Sequence, residues 1–437
     1  MGQMGERSAG KAAAIVALML FASMAWAAAP QASVQKATNA TGNDAADSPP
    51  PVERIAVGPL GFVAPSPNYL STRASFATLN FIDKDHLLFT FHVNTLLRRI
   101  PGDSPDDDDQ LIHAVVLEIK TGKVLRQADW RMHDRGRYLW ALRDGQFLVR
   151  VRNALFLTDK SLELRPYLKF ATSLQGVEVS PGRGLLMVEV KEYLSAPTSA
   201  AEGDGEARLP PSLNSPNGVR QFRTQMALVR PGERKVLGQV EFLNPAYVPL
   251  LENGVLDLDE GKKPKDWVIK REMLDKTTAV IGMVKSSCAP QLVALSADVV
   301  LAQNCPVRGG GGNAVSALSI SGGLLWQALW ESKYVWPQFE SAEDGSRFAY
   351  ESLETSRPMA GFDSPDGENV VSQPVGVFDT KTGKLALVKD ASPILSAGQN
   401  FALSADGRRF AILRKGAIEV YDLPPVVVRE SGAGPKK

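Results

Sequence analysis

The chain has 437 residues, 44% of them hydrophobic and 7% aromatic, with 49 basic against 48 acidic side chains and a formal net charge of +1. That is an ordinary globular composition, and it excludes a low-complexity or collagen-like chain. A net charge near zero gives no global attraction to nucleic acid or to an acidic membrane surface, so neither partner is expected.

The N-terminus reads as an export signal. Arg7 and Lys11 form a positive start, and residues 12–21 form an apolar stretch too short to span a bilayer comfortably. Ala25-Trp26-Ala27 fits the small-x-small cleavage rule, so residues 1–27 are expected to be a signal peptide. No cysteine lies nearby to carry a lipid anchor, and no later segment is apolar enough to cross a membrane. The expected location of the mature chain is therefore periplasmic or secreted, with no transmembrane span. Residues 28–52 are rich in Ala, Ser, Thr, Asn, Asp and Pro and read as a disordered linker.

From residue 53 to 425 one pattern recurs seven times: an apolar strand, a turn rich in Asp, Gly and Ser, and a second apolar strand. The clearest copies occupy residues 339–350 and 401–413; weaker ones occupy 80–91, 141–151, 177–190, 248–258 and 292–303. Each is followed by an outer hairpin. Val115–Leu125 and Val375–Leu385 are the clearest of these, with Thr-Gly supplying the positive φ of a tight turn. Residues 265–282 must serve as the outer hairpin of the fourth unit. A strand-only period of roughly 40 to 60 residues predicts an all-β fold, a seven-bladed β-propeller with four-stranded antiparallel blades. The seventh unit offers only three strands before Pro424-Pro425 halts pairing. The last blade is therefore expected to be closed by an N-terminal strand, Glu53–Val57 or the neighbouring Gly61–Ala64, which removes the open sheet edge. Residues 426–437 read as a disordered tail.

Two cysteines in an exported chain invite pairing. Cys288 and Cys305 are equidistant from Ser296-Ala297. An even-length hairpin loop there places them opposite one another, so a disulfide is expected.

A search for catalytic chemistry finds no Gly-x-Ser-x-Gly elbow, no His-Glu-x-x-His pair and no Gly-Lys-Ser/Thr phosphate loop. The four histidines, His86, His92, His113 and His133, lack close metal-ligand spacing and read as ordinary polar residues. No metal and no cofactor are expected. Trp326 and Trp330 look like the indoles that close blades in quinone-cofactor propellers. Arg126, Pro166, Gly238 and Val388 or their neighbours stand at the equivalent places elsewhere, so blade-to-blade packing is expected instead. The string Asp-Ser-Pro-Asp occurs twice, as residues 103–106 running into Asp107-Asp108-Asp109 and as residues 363–366 running into Gly367-Glu368. Such loops can present oxygen ligands to Ca²⁺, though neither has the full alternating pattern. Long inserts at 97–111, 196–220, 306–313 and 354–373 all fall between the second and third strands of their units, on one face of the disc. That face is the expected binding surface, with Asp106, Asp107, Asp108, Asp109, Asp363, Asp366 and Glu368 as its acidic component.

The Ser-x-Asp-Gly turns and the Thr-Gly-Lys hairpins resemble those of the bacterial WD40-like or YVTN-like seven-bladed propellers, over about residues 54–424. The Gly-His and Trp-Asp pairs of true WD40 repeats are absent. The resemblance implies fold more than activity, since such families include binding modules, scaffolds and a few enzymes. The expectation from sequence is a monomeric, non-enzymatic propeller that binds a protein or a cell-envelope ligand. The alternative is an enzyme of the lyase or quinoprotein type with a site in the central channel.

Overall fold

Seven four-stranded antiparallel meanders form around one axis, and each begins at its innermost strand. The computed structural model describes residues 49–66, 75–95, 97, 109–133, 136–193, 222–242, 248–304, 313–330, 334–356, 369–395 and 399–426. The expected signal peptide, nearly all of the expected linker, Cys305, Asp106–Asp108, Asp363, Asp366 and Glu368 lie outside these residues.

Strands A to D of the first blade are Ala77–Phe81, His86–Val93, Gln110–Glu118 and Val124–Met132. Those of the second are Leu139–Ala141, Phe147–Val151, Ala154–Thr158 and Arg165–Lys169. The third blade uses Ser173–Val179, Leu186–Tyr193, Phe222–Val229 and Val236–Phe242. The fourth uses Leu250–Leu251, Gly254–Glu260, Asp266–Met273 and Thr278–Lys285, so its outer hairpin lies where the sequence required one. The fifth comprises Gln291–Ala294, Val299–Gln303, Asn313–Ser319 and Leu324–Trp330. The sixth comprises Tyr334–Ser341, Arg347–Thr355, Pro374–Asp379 and Leu385–Asp390, with Val370–Ser372 pairing onto the end of its strand B. The seventh has Phe401–Leu403, Arg409–Arg414 and Ala417–Asp422.

The fourth strand of the seventh blade comes from the other end of the chain. Glu53–Ala56 pairs antiparallel with strand C, Glu53 opposite Val420 and Ala56 opposite Ala417. Flanking bonds from the Val52 amide to the Val420 carbonyl and from the Val57 amide to the Gly416 carbonyl extend the ladder. Of the two segments expected for this role, Glu53–Val57 takes it. Phe62 lies just beyond and packs edge-on against Phe76, Phe89 and Phe91 at 5.5–6.3 Å.

Each blade presents apolar side chains on both faces, and the core is therefore divided among the seams. The seven largest apolar clusters each span two adjacent blades, one for every seam of the ring, including the seam between the seventh and the first. At the seam of the fifth and sixth blades Trp326 stacks on Phe348, and its indole N–H donates to the Thr380 carbonyl at 2.9 Å. Its ring also covers the Thr-Gly turn of the sixth blade. Gly383 has φ of +65°, and a Cβ there would lie 2.6 Å from the indole, so glycine is required twice over. Trp330 packs on Tyr350 at 4.2 Å between centroids. Both indoles are blade-to-blade packing, as expected.

Every connection longer than a tight turn in the first, third, fifth and sixth blades falls between strands B and C. In an antiparallel meander those connections share a face with the D-to-A links, and the A-to-B turns lie on the opposite face. Among the described residues no helix is long and apolar enough to cross a membrane.

The hairpin expected to align the cysteines has a different register. Ala294 pairs with Val300, and both Leu295 and Ser296 donate to the Val299 carbonyl. The loop thus holds an odd number of residues, centred on Ala297 rather than between Ser296 and Ala297. The geometric argument for directly facing cysteines does not hold. Cys288 is exposed and disulfide-bonded, and no described cysteine is free; its pairing with Cys305, the other cysteine of the sequence, is the proposal that follows. Two titratable thiols in denatured, oxidatively purified protein would refute it; none is expected.

Ring closure gives a second expected outcome. Phe62→Ala should lower unfolding stability by ~3 kcal/mol in urea titrations, the range for a truncated core Phe. Deletion of residues 51–64 should lower it further, because it also reopens a sheet edge. Unchanged midpoints would show that the closing strand is dispensable.

Candidate functional site

The A-to-B turns meet around the axis, and three of them have the same backbone frame. The Ser180, Ala342 and Ser404 amides each bond five residues ahead, to the carbonyls of Leu185, Arg347 and Arg409. Within that frame Arg183 occupies the position of Gly345 and Gly407, each N–H bonding back three residues. All three have positive φ: +60°, +70° and +61°. Glycine adopts that conformation freely, whereas an L side chain pays roughly 1 kcal/mol. Arg183 is one of seven non-glycine residues with positive φ among the described residues, and a residue held in such strain is a candidate for a functional role.

The turn is held from both sides. The Gly182 carbonyl accepts from Arg143 Nε at 2.6 Å, and the Gly182 amide donates to Glu252 Oε1 at 2.5 Å. A Cβ on Gly182 would lie 2.8 Å from the Glu252 carboxylate, and one on Gly184 would lie 2.9 Å from the Arg143 guanidinium. Both glycines are therefore room for these flanking charges. Ser180 Oγ accepts from the Gly184 and Leu185 amides at 3.1 and 3.0 Å and closes the turn.

So fixed, Arg183 reaches across the ring from the third blade to the sixth. Its Nη2 lies 3.9 Å from Glu340 Oε1 and its Nη1 lies 3.8 Å from Glu343 Oε2. These are contacts of charge, beyond hydrogen-bonding distance. The Arg183 and Glu340 side chains are only 11% and 10% exposed, and Glu340 Oε2 has no hydrogen-bond partner. Arg137, just before the second blade's strand A, lies in the field of both Glu340 and Glu178. Its guanidinium stands 5.4 Å from the Trp140 ring centroid, a cation–π arrangement. Arg137 is itself exposed to solvent.

Burial pushes the Glu178 and Glu340 carboxyls up to about 7. For Glu178 this outweighs the Leu250 backbone and the Arg137 charge; for Glu340 it outweighs Arg183, Arg137 and the Leu403 backbone. Glu343 is also raised, by burial first, with Asp144 and Glu252 adding to it and Arg183 and Arg143 opposing it. A cavity of about 950 Å³ lies beside this cluster on the A-to-B face, reaching it through Arg183 and Glu343 and lined also by Asp144, Asp406, Lys84, Arg126 and Lys160.

The residues singled out in the sequence are placed elsewhere. Asp109 sits at the start of the first blade's strand C, half-buried and ion-paired to Arg131 and His133. Burial opposes its ionisation, but the Arg131 hydrogen bond and the charges of His133 and Arg131 hold its carboxyl below the usual range. It is an internal ion pair. His86 and His113 are held by Asp83 at 2.8 Å and by Asp129 at 2.6 Å. Among the described residues no cluster of three His, Cys, Asp or Glu is arranged to hold a metal. Arg137, Glu178, Arg183, Glu340 and Glu343 escaped the sequence reading because no motif joins them. One signal was available: alignment of the turns puts an arginine where the repeat has glycine.

No protein-family model matches the chain, and no curated protein matches it. Solved structures do. The acylaminoacyl peptidase of Pyrococcus horikoshii is similar at 10% identity and a TM-score of 0.47, over 82% of this chain and 52% of that one. A puromycin-hydrolysing peptidase of Mycobacterium tuberculosis is similar at 12% identity and a TM-score of 0.39, over 87% and 58%. The C-terminal WD40 domain of Sif2 is similar at 11% identity and a TM-score of 0.36, over 80% and 97%. At these identities the likeness is one of fold alone, and the chain spans about half the length of the peptidases. The expectation that the chain is not an enzyme does not stand: it rested on absent motifs, and the solved structures that share the fold include enzymes, a likeness that assigns no activity to this chain. The physical reason lies in the axis: acid–base groups drawn from separate blades leave no contiguous motif whose absence could exclude catalysis.

The raised carboxyls have a measurable consequence. Unfolded, Glu340 titrates near 4.5; folded, near 7. Between those values the folded chain holds a proton that the unfolded chain has lost, so this group's contribution to stability falls as pH rises towards 7 and stays lower above it. Glu340→Gln should therefore stabilise the protein at pH 8 by on the order of 2 kcal/mol relative to its effect at pH 5. Urea titrations of both proteins at the two pH values read the difference. An equal effect at both would show that Glu340 is not held protonated.

Proposed function

We propose that the mature chain is an exported, monomeric propeller, periplasmic or secreted, that binds a charged ligand from the cell envelope at its axis. One observation carries the reading: Arg183 occupies a glycine position and spans the ring to Glu340 and Glu343 beside a cavity of about 950 Å³. A closed, apolar axis would need none of this. A concave site with a few convergent charged groups is where binding concentrates in such folds. The face of the long B-to-C inserts is the proposed contact surface for a protein partner, which leaves the A-to-B cavity for the ligand.

A second reading follows from Glu178 and Glu340. Two carboxyls near 7 beside the Arg137 guanidinium suit proton transfer at neutral pH. This is the channel enzyme foreseen as the alternative. A compound recovered chemically changed from the wild type, and intact from Glu340→Gln, would establish it.

Arg183→Gly tests the binding reading, since it installs the residue that the other turns use and should leave the fold at least as stable. Thermal melts with agmatine, L-arginine, glutarate and inorganic phosphate should show at least one compound raising the wild-type Tm by an amount that the variant changes, lost for an anion that pairs with Arg183 and enlarged for a cation that competes with it. No shift with any of them, or a shift identical in the variant, would overturn the axial site.

A further inference from the structure

Among the described residues, five carboxylates face three guanidiniums at the axis: Asp144, Glu178, Glu252, Glu340 and Glu343 against Arg137, Arg143 and Arg183. The acidic groups of this cluster outnumber its guanidiniums, and the Lys84, Arg126 and Lys160 cations lie further out along the cavity lining. The guanidiniums are also committed unequally. Arg143 is spent on the Gly182 carbonyl and Glu252, and Arg137 is spread over the Trp140 ring and the Leu139 carbonyl. Arg137 acts on Glu340 only through its charge, and Arg183, the guanidinium within 4 Å of it, makes no hydrogen bond to it at 3.9 Å. Glu340 is left nine-tenths buried with Oε2 unpartnered. A buried carboxylate oxygen without a donor is costly, and what it lacks is an N–H donor carrying positive charge.

We infer that the axial site takes a ligand bearing an organic cation, a guanidinium or a primary ammonium, which donates to Glu340 Oε2 and draws on the neighbouring Glu178. This rests on the axial binding reading and names the chemistry of its ligand. The cation takes the place that the Arg183 head holds only by charge. Arg183 then turns to Glu343, its other carboxylate at 3.8 Å, so the displaced guanidinium keeps a partner. No bond is made or broken.

Binding is coupled to protons. The groups facing Glu340 are Arg183, Arg137 and the Leu403 backbone; those facing Glu178 are Arg137 and the Leu250 backbone. Near pH 7 both carboxyls are part protonated in the empty site, and a cation binds their ionised forms. Protons are released on binding, and affinity rises with pH up to about 8. Below 7 it falls about tenfold per pH unit for each proton released.

The test is calorimetric titration of the mature chain with agmatine, which has both cationic groups and no carboxylate, at pH 6, 7 and 8. Pairs of buffers with different ionisation heats count the protons. The expected result is release of protons near pH 7 and an affinity that strengthens about tenfold from pH 6 to 7. Glu340→Gln should weaken binding at least tenfold and flatten the pH dependence, and its melting temperature verifies that it is folded. Glu178→Gln should lower the proton count. Agmatine binding without proton release, or unaltered in Glu340→Gln, overturns the inference. Glutarate binding that Arg183→Gly abolishes, with no binding of agmatine, overturns the cation and leaves the axial site standing. If neither probe binds the wild type, both readings fall.

Discussion

The pairing of Glu53–Ala56 with the last blade's strand C is the constraint on which the rest depends. A propeller has no central core. Its apolar surface is buried in seams between neighbouring blades, and a ring of seven blades has a seventh seam only if its ends meet. The cluster joining the first and seventh blades contains Ile55 and Val57 from the closing segment, beside Leu79, Phe89, Ala411 and Ile418. Phe62 adds three edge-on aromatic contacts. A few residues near one end of the chain therefore decide whether the other end has a complete sheet.

Closure also sets the chemistry of the axis. Arg183 belongs to the third blade, Glu340 and Glu343 to the sixth, Arg137 and Arg143 to the second, and Glu252 to the fourth. None of these residues touches another within its own hairpin. They become neighbours because the ring holds the A-to-B turns at a fixed radius. In that enclosure carboxyls lose water faster than they gain cations, so Glu178 and Glu340 titrate near neutrality rather than near 4.5. Arg347 performs a related service between blades. Buried at 1% exposure, it donates to Asp379 at 3.0 Å and to the Gly407 and Pro424 carbonyls, tying the sixth blade to the turn and exit of the seventh.

The two faces of the disc thus have different characters. The B-to-C face has the long inserts, and its described acidic residue, Asp109, is consumed by Arg131 and His133. The A-to-B face has short turns of defined geometry around a charged cavity. Rigid turns present side chains with little loss of freedom on binding, and the strain at Arg183 is borne by Arg143 and Glu252 clamping its neighbour Gly182.

What the sequence by itself determined is what neighbouring residues determine. Strand alternation, Asp-Gly and Thr-Gly turns and the missing seventh-blade strand are local or countable, and they led to the blade order, the B-to-C position of the inserts and the closing strand. The packing roles of Trp326 and Trp330 followed from their failure to recur. The hairpin at Ala297 was misread because one bifurcated acceptor, the Val299 carbonyl, changes the loop from even to odd, and spacing alone does not show which carbonyl an amide chooses. The axial site was decided by tertiary structure alone. Its charges are ordinary residues in the sequence, lying in different blades and separated by whole repeats. They acquire a raised pKa, an unpartnered oxygen and a cross-axis contact only when the closed ring removes water from between them.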